Sequence, residues 1–411
     1  MHVVMFGDQH LATLGGAQVS MRLQKKFLER AGHTVTVVAP APHGPARQRI
    51  IGGDDALVDL PSIPITPDRE YSFSWPGRRT DRFVDAAMEG RPPVDLVHVQ
   101  GDFWAAFIGH RFAARHGLPV VHTMHNRVDV GVEATTPFPA LVLAVLNWWQ
   151  QRAVAGPLRM PGRDGWTYQR RFAELADAVT VPSSHFARRL EENGVVPGGT
   201  RAAKRGVDVV WNGIDDDLLD EVRATAALER EPGLPRFVWL GRMSPEKRLL
   251  PFLEAVAESG VAADVTVVGG GAQLRAAQRI VEERRPAASV SFAGRLSYPE
   301  TLQTIQRADA VVQTSIGFET QGMTIFEAAS VGTPSIVSDP DLAHELGSGL
   351  WPVAGDADAA AEVSALAEAL RRAAADIEAG TAPEPDPDIR ERFRQSSRTA
   401  AMVEVYDRVR S

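Results

Sequence analysis

Short apolar runs rich in β-branched residues alternate with longer amphipathic stretches along the whole chain. In the first half the runs are "HVVMF" (2–6), "TVTVVAP" (34–40), "DLVHV" (95–99), "PVVHT" (119–123) and "AVTVP" (178–182). In the second half they are "VDVVW" (207–211), "RFVWLG" (236–241), "DVTVVGG" (264–270), "SVSFAG" (289–294), "DAVVQT" (309–314) and "PSIVSD" (334–339). Runs that are apolar throughout, rather than alternating, predict strands covered on both faces, as in parallel sheets. The stretches between them predict helices, among them 17–31, 104–116, 185–193, 246–259 and 272–285. Regular β/α alternation predicts an α/β protein of doubly wound sheets, and the number of runs predicts two of them.

Length agrees, because 411 residues exceed what one core holds. Pro, Gly and Lys/Arg cluster in "VPGGTRAAKRG" (196–206), which predicts a boundary there, with domains at 1–203 and 204–388. "EAGTAPEPDPD" (378–388) reads as an exposed linker. It precedes a last helix, 389–411, expected to cross back to the N-terminal domain.

Composition narrows the class. Hydrophobic content of 44% and charged content of 23% are those of a soluble globular protein. A formal net charge of −8 gives no basic field to gather phosphates, which argues against general nucleic-acid binding. With no cysteine, disulfides and thiolate metal sites are excluded. The start "MHVVMFGDQH" lacks a signal-peptide pattern, and the longest apolar stretch, "FPALVLAVLNWW" (138–149), is too short to span a bilayer. A cytoplasmic protein is the expectation.

Four places carry candidate chemistry. In "MFGDQHLATLGGAQVS", Gly15 and Gly16 precede a helix whose free N–H groups suit a phosphate; a plain turn fits equally. In "VWLGRMSPEKR", Gly241 and Arg242 end a strand and Lys247 follows at the predicted helix start. Two cations at the C-terminal edge of a parallel sheet suit an anionic ligand, against the alternative of solvated surface charge. In "GFETQGMTIFEAASVGTP" (317–334), Glu319 lies in a loop and Glu327 in the helix after it, which Gly332 and Pro334 close. Glu327 could grip both ribose hydroxyls or simply interact with the helix dipole. In "PVVHTMHNRVD", His122 and His125 lie at and beyond a strand end; a metal needs a third ligand that is not close in sequence, and a single His facing a sugar fits better. "VTVVGGGAQL" is no dinucleotide fingerprint, because Leu274 stands where the third Gly belongs.

With these pieces placed, the chain resembles glycosyltransferase family 4, the retaining enzymes of the GT-B fold, over nearly its whole length. "GGAQ" with its helix, "RAGHTVTVVAP", "DLVHVQGDF", "PVVHTMH", "DAVTVPSSHFARRL", "VVWNGID", "GRMSPEKR", "VTVVGGG", "VSFAGRLSYPE" and the Glu-x7-Glu stretch follow in that family's order. The resemblance implies two Rossmann-like domains about a cleft, and a metal-independent transferase moving a hexose from a UDP- or GDP-hexose. Arg242 and Lys247 would hold the diphosphate, helped by Gly241 and the Gly15–Gly16 loop. Glu327 would bind the ribose. Glu319 and the amides of Gly322, Met323 and Thr324 would hold the hexose, which His125 would face. The chain departs from the family's habit at Thr320-Gln321-Gly322, at Gln100 where a His is common, and at Arg248 where Gly is usual.

Two features concern the acceptor. Arg22, Lys25, Lys26 and Arg30 share an arc of roughly 140° on the first helix, opposite Leu23, Phe27, Leu28 and Ala31. This is either a solvated face or a contact with anionic lipid. "DLPSIPITPDREYSF" (59–73) resembles a segment of members that glycosylate diacylglycerol-type lipids, and "FPALVLAVLNWW" could cover an acyl chain, lie at an interface or be core. The expectation is a glycolipid glycosyltransferase peripheral to the membrane. A soluble or polysaccharide acceptor, a non-catalytic nucleotide-sugar binder and a two-carboxylate glycoside hydrolase are the rival readings.

Overall fold

The computed structural model of the protein describes residues 1–13, 15–50, 52–154, 162–196, 206–225, 233–354 and 359–411. It divides into two compact units, Met1–Gly213 with Gln395–Ser411, and Ile214–Arg394.

The first unit is built on β1 (His2–Gly7), β2 (Thr34–Pro40), β3 (Leu57–Leu60), β6 (Leu96–Gln100), β7 (Val120–Thr123), β8 (Ala178–Val181) and β9 (Asp208–Val209). A small antiparallel hairpin, β4 (Ile63–Pro64) with β5 (Ser72–Phe73), lies beside the sheet in sequence. The seven long-sheet strands are all parallel, in the order β3-β2-β1-β6-β7-β8-β9. Burial on both faces is visible in β1: Val4 and Phe6 pack into one core, Val3 and Met5 into the other. Continuous apolar runs require this arrangement.

The second unit repeats the plan with β10 (Arg236–Leu240), β11 (Asp264–Val268), β12 (Ser289–Gly294), β13 (Ala310–Gln313), β14 (Ser335–Val337) and β15 (Leu350–Pro352). Their order is β12-β11-β10-β13-β14-β15, again all parallel. In each sheet the winding direction reverses once, between β1 and β6 and between β10 and β13. Ligands of doubly wound folds bind outside the strand ends at these switch points.

Three expectations need correction. The run 207–211 belongs to the first sheet, not the second domain: β9 pairs with β8, and Val210 N–H donates to the Val181 carbonyl at 2.9 Å. The unit boundary therefore falls after Gly213 rather than at 203; most of the 196–206 stretch lies outside the described residues. The last helix is two helices, Pro387–Phe393 in the second unit and Gln395–Arg410 in the first, broken where Arg394 leaves helical geometry at ψ 139°. The 378–388 stretch is accordingly within the second unit. It is anchored there, with the Asp386 N–H bonded to Ser348 Oγ at 2.9 Å.

Candidate active site

At the switch point of the second unit, β10 runs into Gly241 and Arg242. A 3-10 turn, Pro245–Lys247, follows, and the α-helix begins only at Leu249. Lys247 thus sits in a turn before the helix rather than at its start. Arg248 between them is left-handed, at φ 57°. An L-residue there is strained, which explains why Gly is the habit of the resembled family at this position. The Arg248 side chain is held by Glu362 in an ion pair.

The glycines of "VTVVGGG" form a backbone clamp. A Cβ on Gly269, at φ 128°, would overlap the Gly241 carbonyl oxygen, and one on Gly271 would meet the Met243 oxygen at 2.5 Å. Close approach lets Met243 N–H donate to the Gly270 carbonyl at 2.9 Å, and Gly241 N–H to that of Val268 at 3.1 Å. The loop carrying Arg242 is fixed by these bonds.

The loop after β13 lies against the same turn. Trp239 Nε1–H donates to Thr314 Oγ1 at 2.9 Å, and the Thr314 hydroxyl donates to the Lys247 carbonyl at 2.7 Å. Lys247 and Glu319 form an ion pair, Ser315 Oγ donates to Glu319 Oε1 at 2.7 Å, and Lys247 Nζ stands 5.7 Å from the Phe318 ring centre. Arg242 is bound by Glu246 at 2.6 Å and is 64% exposed. Each candidate cation is therefore partnered by a carboxylate, a pairing the sequence did not reveal.

The helix Met323–Val331 starts from Gly322, left-handed at φ 73°, with no capping side chain. A Cβ on Gly322 would meet Leu342 Cδ1 at 2.7 Å. The first amides of this helix, those of Met323 and Thr324, are presented without a competing cap. Behind them Glu327 is buried, and its Oε1 accepts a hydrogen bond from Tyr298 OH at 2.9 Å. Burial pushes its pKa up to about 7, with the Tyr298 bond acting in the opposite direction. Tyr298 was missed by sequence reasoning. Its signal was available in "SYPE", where Ser297 and Glu300 form a capping box that fixes Tyr298 in the first turn.

Gly241, Arg242, Lys247, Glu319, Gly322, Met323, Thr324 and Glu327 thus all belong to one unit. Gly15, Gly16 and His125 belong to the other. There Gly15 and Gly16 are exposed at the start of the helix Gly16–Arg30, near the first switch point. His125 is buried beyond β7, with Nε2 3.2 Å from Gln100 Oε1. Desolvation lowers its pKa to about 4, so the ring is neutral at pH 7. Gln100 in turn bonds Gln24 of the first helix. His122 is a packing residue: it is fully buried, and its Nδ1 lies 3.1 Å from His110 Nε2. Asp8, also missed, holds the β1 and β6 loops together by accepting from the amides of Asp102 and Ala105, both at 2.8 Å.

The sequence profile described as Glycosyltransferase Family 4 matches residues 14–218, and that of Glycosyl transferases group 1 matches residues 223–379. The chain belongs to glycosyltransferase family 4. Among curated proteins this glycosyltransferase is 25% identical over 346 residues to an alpha-monoglucosyldiacylglycerol synthase of Streptococcus pneumoniae, covering 82% of this chain and 70% of that one. Among solved structures it is similar to sucrose-phosphate synthase from Thermosynechococcus elongatus, with TM-score 0.71, 18% identity and coverage of 100% and 99% of the two chains. A second, Anabaena Alr3699/HepE in complex with UDP and glucose, gives TM-score 0.63 at 16% identity, covering 99% and 100%. The glycosyltransferase has the GT-B fold.

Proposed function

We propose that the protein is a retaining, metal-independent hexosyltransferase that takes its sugar from a UDP- or GDP-hexose and passes it to a membrane lipid of the diacylglycerol or glycolipid type. The observation that carries this reading is the convergence of Lys247, Glu319, the uncapped amides of Met323 and Thr324, and buried Glu327 at the β10/β13 switch point. Cleaving a glycosidic bond to a diphosphate places growing negative charge on the leaving group. Fixed cations and helix N–H groups stabilise that charge as it develops. Lys247 and Arg242 serve this role, with Gly241 giving the phosphate close access to backbone; in the other unit, the Gly15–Gly16 helix start is itself suited to a phosphate. Glu327 binds the ribose hydroxyls, and Glu319 with Gly322, Met323 and Thr324 holds the hexose as it passes through an oxocarbenium-like state. In the first unit, the neutral His125 ring is suited to hydrogen-bond a sugar hydroxyl.

The lipid acceptor is supported by the name of the pneumococcal relative and by a large apolar surface on the first unit. Support for a nucleotide donor comes from the UDP and glucose held by the Anabaena neighbour. The test is release of UDP or GDP from a panel of nucleotide hexoses, with diacylglycerol dispersed in detergent as acceptor and excess chelator present. Turnover with a product whose anomeric configuration matches the donor, lost in Lys247→Ala, is the expected result. Donor binding without turnover on any acceptor would leave only a binding protein.

A further inference from the structure

The helix Pro139–Ala153 is apolar on both sides: Leu143 and Ala153 enter the core, with Val142, Leu146 and Trp149 packed against it, and a second apolar row faces outward. Its buried positions include Asn147 and Gln150, while Phe138, Leu141, Val145 and Trp148 are each more than half exposed. At 100° per residue Leu141, Val145, Trp148 and Arg152 fall within an arc of about 60°, on a stripe roughly 15 Å long from Phe138 to Trp148. The two buried amides on the inner side are bonded: Asn147 donates to the Leu143 carbonyl at 2.8 Å and accepts from Arg171, and Gln150 donates to the Tyr168 carbonyl at 2.8 Å. These bonds and the core contacts fix the rotation of the helix, and turning it to bury the outer apolar row would break them. Buried polar groups opposite exposed large apolar ones are informative where a lone exposed Leu is not.

The stripe does not stand alone. Trp75, two-thirds exposed, sits with its ring centre 5.3 Å from that of Trp149 on the same helix, and Phe73 of the hairpin lies 5.8 Å from Trp149. After Trp75 and Pro76, "GRRTDRF" (77–83) places Arg78, Arg79, Arg82 and Phe83 on the surface. Arg152 stacks over Trp148 at 5.1 Å. In a chain of net charge −8, arginines and tryptophans thus gather at one apolar surface.

We propose that this face, the Phe138–Trp148 stripe with Trp75 and the Arg78–Arg82 segment, seats the enzyme on an anionic lipid bilayer. The stripe enters the acyl boundary, the tryptophans take the interfacial level, and the arginines meet headgroup phosphates. A second copy is the lesser fit, because an isologous contact centred here brings the arginines of both copies together. The proposal deepens the lipid-acceptor reading and rests on it for the choice of a bilayer over a protein. It also moves the membrane contact away from the first helix, where Lys25 is engaged by Glu29 and Asp54 at 2.9 and 3.0 Å.

The experiment is flotation of the full chain with vesicles of phosphatidylcholine, alone or mixed with phosphatidylglycerol. The wild-type chain should float with the mixed vesicles. Leu141→Glu/Trp148→Glu should lower partitioning at least about tenfold on both compositions. Arg78→Ser/Arg79→Ser/Arg82→Ser should lower it on the anionic vesicles alone, by about fivefold for each arginine and so about a hundredfold together. No flotation of the wild-type chain, or equal flotation of the variants, overturns the proposal. So does a wild-type dimer in sedimentation that the Leu141→Glu/Trp148→Glu variant dissociates. Thermal-shift binding of UDP and GDP, unchanged in both variants, shows that they fold. Absence of that shift in the wild-type chain would strike the transferase reading and leave the docking face untouched.

Discussion

Replacing Glu327 with Gln tests the ribose assignment through stability as well as binding. Its pKa is raised from 4.5 to about 7 because the carboxylate is buried among apolar neighbours with a single hydroxyl donor. Between those two values the folded chain holds a proton that the unfolded chain has released, so stability falls as pH rises. The contribution is fully present below pH 4.5 and is lost as pH climbs through 7. A shift of this size corresponds to about 3 kcal/mol. Gln keeps the shape and can still accept from Tyr298, yet carries no charge to desolvate.

Glu327→Gln should therefore match the wild-type chain near pH 5 and exceed it by up to ~3 kcal/mol at pH 8. For a unit of this size that is roughly 6–12 °C in melting temperature. Comparing the two proteins at each pH cancels the other titrating groups, including buried Asp8, whose pKa is also raised to about 7. The assay is thermal melting across pH 5–8, paired with nucleotide affinity. Wild-type affinity should strengthen as Glu327 ionises, because a carboxylate accepts from two hydroxyls and a carboxylic acid does so poorly, while the variant stays weak and flat. A difference in melting temperature that is the same at both ends of the range would refute the reasoning.

Tyr298→Phe removes the hydroxyl that donates to Glu327 at 2.9 Å, so the pH at which nucleotide affinity rises should move upward, and the shift should vanish in the Glu327→Gln background. Gly269→Ala drives a methyl into the Gly241 carbonyl at a positive φ and should cost at least about 2 kcal/mol, with loss of donor binding, read by melting and titration. Arg248→Gly relieves a left-handed residue by about 1 kcal/mol and loses a partly exposed ion pair of similar worth. Its melting temperature should stay within a few degrees of the wild-type value, whereas Arg248→Val should fall well below it.

Much of the fold was legible because parallel strands announce themselves as unbroken apolar runs. The strands that escaped were short or at edges: Leu57–Leu60 alternates, with Asp59 exposed, and Leu350–Pro352 spans three residues. The run 207–211 reads as a strand, but nothing local says which sheet it joins, and it pairs with β8 of the first unit. The break at Arg394 lies within a helical pattern and becomes visible only when Gln395 and Phe393 are seen to serve different units. At the site, residue types at strand ends were legible. Partnerships were not: the Lys247–Glu319 ion pair joins positions 72 apart, and the Tyr298–Glu327 bond joins positions 29 apart.

That ion pair changes what Glu319 should do. Read from the sequence, Glu319 grips the sugar and Lys247 grips the phosphate, two separate tasks. In the fold the carboxylate touches the ammonium directly, and Ser315 donates to the same oxygen. Phosphate binding to Lys247 must then compete with Glu319 or share the lysine with it. Removing the carboxylate in Glu319→Ala leaves the positive charge of Lys247 uncompensated. For a partly exposed pair the competition is worth about 1 kcal/mol, so affinity for UDP or GDP should hold or tighten by up to about fivefold. Turnover should fall by at least about tenfold, because the hexose loses its positioning group. Calorimetric titration of the nucleotide beside kcat on the same preparation separates the two. Parallel losses in both would mean that Glu319 serves to hold Lys247 in place, and that the hexose is gripped by some other group.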